Sequence, residues 1–131
     1  MTMGYLPFEE TSTNPTLANF VKYVGKAKAN GFSVFGWTST LEFAQAVNDT
    51  VESHGVNGLT RANLLESLKG ISDFNAGGMI ATVNIGQKIP SSCFLLEQYT
   101  NKKFVRIFPK KAGTFDCTPS NRVKIKADLI G

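Results

Sequence analysis

The chain has 131 residues, 42% of them apolar and 18% charged, with ten Phe and a net charge of +4. That apolar content excludes a disordered chain, which cannot offset its ordering entropy, and it supplies one domain core at most. No run approaches the roughly 18 apolar residues of a membrane span. Met1-Thr2-Met3-Gly4-Tyr5 has neither the basic nor the apolar region of a signal peptide, as expected of a chain that begins inside a longer protein.

In chain order, Gly4-Tyr5-Leu6-Pro7-Phe8 reads as a short strand stopped by Pro7, and Glu9 to Thr13 as a polar loop. Asn14-Pro15 predicts a helix start, because Asn caps free N–H groups and Pro suits the first helical position. Leu17, Phe20, Val21 and Val24 then form one apolar face, and Gly25 and Asn30-Gly31 end the element. Phe32-Ser33-Val34-Phe35 predicts a short buried strand. Ser39-x-x-Glu42 predicts a capping box for a second helix, with Leu41, Ala44, Val47 and Val51 inward, Phe43 beside them, and a stop at His54-Gly55. A third helix is expected from Thr60, with Leu64, Leu65 and Leu68 inward and Gly70 as its stop.

Residues 72–92 are irregular, with Met79 to Val83 a candidate strand. Cys93 to Tyr99 and Lys103 to Phe108, joined by Thr100-Asn101-Lys102, predict a hairpin. Arg122 to Ile130 alternates apolar and polar residues, as either a half-buried strand or a tail would. Helices early and strands late indicate an α/β or α+β fold.

The chemistry is sparse. A bridge between the only cysteines, Cys93 and Cys117, would tie the hairpin to the loop after it, worth about 3 kcal/mol by chain entropy. It would also imply an oxidising compartment; the alternative is two unrelated buried thiols. His54, the only histidine, has no partner at ligand or catalytic spacing, so neither a metal site nor a Ser-His-Asp triad is expected. Gly77-Gly78 lacks a phosphate-loop pattern. Asn48-Asp49-Thr50 is a glycosylation sequon placed mid-helix. With no pair of titratable groups at catalytic spacing, no enzyme and no cofactor are expected. Residues 1–100 hold 6 Lys/Arg and 8 Asp/Glu, whereas residues 101–131 hold 8 and 2. Without a nucleic-acid motif this basic tail reads as a solvated strand edge, and no nucleic-acid partner is expected. Phe35-Gly36-Trp37-Thr38, at the expected strand-to-helix junction, is the best ligand-site candidate, since such junctions form crevices; burial in the core is the alternative.

Several stretches together resemble a known family: Leu6-Pro7-Phe8-Glu9-Glu10, Phe35-Gly36-Trp37, and Gly58-Leu59-Thr60-Arg61 with Leu64, Leu65 and Leu68. Phe74-Asn75-Ala76-Gly77-Gly78-Met79, Ile85-Gly86, Pro90-Ser91-x-Cys93-Phe94, Lys103-Phe104-Val105-Arg106 and Pro109-Lys110-Lys111-x-Gly113-Thr114-Phe115-Asp116-Cys117 complete the set. In order and spacing they resemble the C-terminal part of type I periplasmic binding proteins, closest to the leucine/isoleucine/valine-binding-like receptors of branched-chain amino acid ABC transporters. The resemblance runs from about Tyr5 to Cys117.

It implies an α/β clamshell of two lobes, of which this chain is a single partial domain. Residues 1–13 would be a hinge strand and loop, 14–70 the helical part of one lobe, and 71–131 a return crossing, β hairpin and basic tail. Phe35 matches a cleft-lining aromatic of the family. Trp37 and Thr38 are carried over as its neighbours, and Phe8 by its place past the hinge. Cys93 and Cys117 would close the hinge side. The implied function is the substrate-binding component of an ABC transporter, binding a small ligand such as a branched-chain amino acid without chemistry. It would deliver that ligand to a membrane permease from an extracytoplasmic location. A ligand sensor on the same fold is the alternative. The family's main anchors for a ligand's carboxylate and ammonium lie in earlier segments, absent here. A chain with one wall of a site and an unfinished core is expected to self-associate.

Overall fold

The computed structural model describes residues 1–123. It combines helices with a three-stranded antiparallel sheet, an α/β arrangement at the coarse level. Helix α1 spans Pro15–Val24 and is set by Asn14. The Asn14 side-chain oxygen accepts the Leu17 N–H at 2.9 Å, and its amide donates to the Gly77 carbonyl at 2.8 Å. One buried residue therefore caps the helix and holds a segment 63 residues away. Leu17 and Phe20 bury the apolar face that the spacing predicts.

Helix α2, Gly31–His54, corrects the sequence reading most. Phe32-Ser33-Val34-Phe35 is its first turn and not a strand. Asn30 decides this. Its side chain accepts from Phe32 and Ser33 N–H, and Ser33 Oγ accepts the Asn30 N–H at 2.9 Å. The capping box thus lies upstream of Ser39-x-x-Glu42, which sits inside the helix. The buried face is Val34, Thr38, Ala46 and Thr50, while Ala44 and Phe43 point outward. Two threonines reach the core because each hydroxyl bonds a carbonyl one turn back, Thr38 to Phe35 and Thr50 to Ala46. Thr50 and Ser67 also share a hydrogen bond of 2.8 Å, which fastens α2 to α3.

Helix α3, Arg61–Gly70, is capped by the Thr60 hydroxyl. Leu64 and Leu68 pack on the core, Leu65 is exposed, and Gly70 is the last helical residue with Ile71 as the cap. Gly86 crosses directly over this end. A Cβ there would sit 1.8 Å from the Lys69 carbonyl oxygen.

The sheet runs β1 (Thr2–Met3), β2 (Leu95–Thr100) and β3 (Lys103–Phe108) in that order. The hairpin is where the sequence places it, and Asn101 and Lys102 both take positive φ, as a two-residue turn matched to strand twist requires. Gly4–Phe8 is not a strand. Tyr5 makes an isolated bridge to Ile80, and a 3-10 segment follows from Phe8 to Thr13. Met79–Val83 likewise pairs only at single bridges, with Leu6 N–H bonding the Met79 carbonyl and Ala81 N–H the Gly4 carbonyl. Between these segments Leu6, Leu17, Phe20, Val34, Met79 and Leu95 form the core. The alternating stretch Arg122 to Ile130 lies, from residue 124 onward, outside the described residues.

Two links close the sheet side. Cys93 and Cys117 form a disulfide, next to the Phe94–Asp116 bridge. Hydrogen bonds from Asn121 and Thr118 hold the Asp116 carboxyl below its usual range. The second link is an ion pair. Arg106 Nε and Nη2 donate to the two Glu10 carboxylate oxygens at 2.5 and 2.7 Å. Arg106 Nη1 donates to the Thr114 carbonyl at 2.8 Å, and the Gly113 N–H donates back to Glu10 Oε2. Both side chains are nearly buried.

Glu10→Gln leaves the guanidinium buried without its charge partner and is expected to cost about 3 kcal/mol, with Glu10→Gln/Arg106→Met recovering part of the loss. Urea unfolding of the single and double variants measures both. Gly86→Ala is expected to cost about 1 to 3 kcal/mol, read as a lower urea midpoint at unchanged slope.

Candidate functional site

The segment from Tyr5 to Phe8 runs between two hollows, and Tyr5 lines both. The first is a groove of about 360 Å³ between the N-terminal residues Thr2 to Tyr5, the first turns of α2 and the Ile80–Val83 stretch. Its wall is mostly apolar: Tyr5, Val34, Phe35, Thr38, Ile80 and Val83. Phe35 and Thr38, two of the sequence-predicted residues, meet here. Thr38 offers the groove mainly its methyl group, since its hydroxyl bonds the Phe35 carbonyl at 3.3 Å. Phe35 is 64% exposed and lies in a row with Phe32, 88%, and Phe43, 55%. Three and eight residues apart, these rings share one face of α2 and project away from the core.

The other two predicted residues lie elsewhere. Phe8 stacks on Tyr5 with centroids 5.7 Å apart and touches Phe20 on its other side. It lines the second hollow, a cavity of about 290 Å³. Trp37 sits edge-on to Phe20 and stacked on Tyr23. It faces a third, more open hollow of about 550 Å³ with Thr16, Asn19, Gln45, Asp73 and Asn75. Its buried indole N–H has no hydrogen-bond partner among the described residues. The strand-to-helix crevice expected at Phe35-Gly36-Trp37 does not exist, because all three residues lie on one continuous helix, where Phe35 and Trp37 diverge by about 200°.

Sequence reasoning missed Glu97. It is 2% exposed, lines the second cavity, and its Oε1 has no partner among the described residues. Arg106 stands opposite it in the β2–β3 register, but that guanidinium is committed to Glu10 and Thr114. Burial, then Glu9 and Glu10, push the Glu97 carboxyl above its ordinary value, against the pull of Arg106 and the Met1 amino group. Burial and the nearby Glu97 also raise the Tyr5 phenol. The missed signal was the two-residue period: Glu97 follows Leu95 on the inner face of β2.

Among the described residues no three His, Cys, Asp or Glu side chains group to hold a metal, and no helix is long and apolar enough to cross a membrane. Compared with protein-family models, curated proteins and solved structures, the chain gives no match.

A raised carboxyl means that the fold prefers Glu97 protonated. Its contribution is complete below the ordinary value of 4.5 and is lost as pH rises through the raised one. Glu97→Gln, neutral throughout, is expected to gain in melting temperature on the wild type between about pH 4 and pH 8. Circular dichroism melts across that range check it, and a constant difference contradicts it.

Proposed function

We propose that this chain is one wall of a small-molecule receptor: the C-terminal part of a type I periplasmic-binding clamshell that presents a branched-chain or related amino acid to an ABC-transporter permease. The observation that carries the proposal is the groove at Phe35 and Thr38. It is apolar, it is the size of a small-ligand site, and it opens beside a row of exposed rings with nothing opposite them among the described residues. Soluble domains seldom leave such a surface uncovered, and a second lobe closing over it would bury both rings and ligand. The Cys93–Cys117 disulfide fits an oxidising, extracytoplasmic compartment.

Within this proposal Phe35 and Thr38 touch the ligand, whereas Trp37 and Phe8 hold the wall from behind. The missing wall also explains the edge of the sheet. β3 exposes Phe104, Val105, Ile107 and Phe108, an apolar edge that would drive the isolated chain to self-associate.

The test compares thermal unfolding of this chain with that of a version extended upstream, against aliphatic amino acids, amides and small organic acids. A ligand at a hundred times its Kd is expected to stabilise the extended protein by about 2.7 kcal/mol. The chain alone is expected not to respond, and Phe35→Ala in the extended protein is expected to remove most of the shift. If no compound shifts the extended protein, or Phe35→Ala leaves the shift intact, the proposal fails.

A further inference from the structure

The geometry points to a second binding site, for a small organic ammonium ion, in the cavity where the Glu97 carboxylate meets the rings of Tyr5, Phe8 and Phe104. This site is separate from the Phe35 groove and does not depend on the receptor reading.

The cavity, about 290 Å³, falls at the small end of ligand pockets. Glu97, a residue only 2% exposed, lines it, and the buried Oε1 of its carboxylate has no partner among the described residues. Such a group is costly to bury and requires a proton, a water or a cation. The charges around it favour the cation. Glu9 lines the same cavity and Glu10 lies close enough to act on Glu97; among the described residues no Lys or Arg side chain lines the wall, and the one cation on it, the Met1 amino group, donates to the Glu97 backbone carbonyl at 2.6 Å and pulls on the carboxyl without bonding it. The one guanidinium within reach, Arg106, is engaged by Glu10 in a two-pronged bond and by the Thr114 carbonyl.

The rings then select the kind of cation. Tyr5 and Phe8 stack nearly parallel, 16° apart, and Phe104 adds a third ring from β3. Aromatic faces attract alkylated ammonium ions, whose methyl or methylene groups shed water easily. A calcium or magnesium ion needs six or more oxygen ligands, and among the described residues no metal-holding group of side chains exists. Met3 and Ala29 supply apolar lining for an alkyl tail. An anion would meet two carboxylates, and a neutral apolar solute would leave Glu97 unpaired.

Isothermal titration of the 131-residue chain with n-butylammonium and tetramethylammonium tests this, with n-butanol as the neutral and butyrate as the anionic counterpart. At least one of the two cations is expected to bind saturably, and n-butanol and butyrate at least about tenfold more weakly. Glu97→Gln is expected to weaken the cation by about tenfold or more, and Phe104→Leu by several-fold. Both variants are checked for native circular dichroism. The site is refuted if neither cation saturates, if n-butanol binds as well, or if a folded Glu97→Gln keeps wild-type affinity. Should Glu97→Gln fail to fold, unchanged cation affinity in Phe104→Leu, a change at a partly exposed ring, refutes it as well. Phe35→Ala does not line this cavity, so a loss there alone speaks to the groove and not to this site.

Discussion

The ion pair between Glu10 and Arg106 is the constraint on which the sheet side of the molecule depends. It ties the 3-10 segment Phe8–Thr13 to β3 and to the loop that leads to Cys117, across 96 residues of chain. Its two-pronged geometry uses the planar guanidinium fork, which a lysine cannot reproduce. Because both partners are nearly buried, the pair specifies one arrangement of these segments more than it adds net stability. It also consumes the only guanidinium near Glu97. The lone carboxylate of β2 is therefore a direct result of where Arg106 is spent.

The helices were legible where local chemistry decides them. Asn14-Pro15 opens α1 and Thr60 opens α3, because a capping side chain needs only its own next turn. The hairpin was legible for the same reason. The start of α2 was not. Asn30-Gly31 reads as a stop for the preceding helix, and Phe32-Ser33-Val34-Phe35 as a strand, until one sees that Ser33 returns the hydrogen bond that Asn30 gives. The inner face of α2 was hidden as well, since Thr38 and Thr50 are polar by residue type but satisfied by their own helix. Bonds between distant segments, such as Glu10 to Arg106 and Asn14 to Gly77, leave no local trace in the sequence.

The same logic separates the site residues. Phe35 and Trp37 are neighbours in sequence, and a strand would have put them on one side. A helix sends one ring out to the groove and the other in against Phe20. Glu97 went unnoticed because a single glutamate in a strand reads as an outward residue. Only the burial of Leu95 two positions earlier shows that the face points inward.

The placement of Leu95 and Met79 in the core bears on how the molecule is made. Leu6, Leu17 and Phe20 emerge first during synthesis, yet part of the core that covers them, Phe74, Met79 and Leu95, comes from the last half of the chain. Local helices can form early, but the core must wait for contacts of long sequence separation, which slow folding. Until β2 arrives, the faces of α1 and α2 stay uncovered on the growing chain. An interruption of synthesis before Leu95 would therefore yield not a smaller stable unit but a sticky set of three helices.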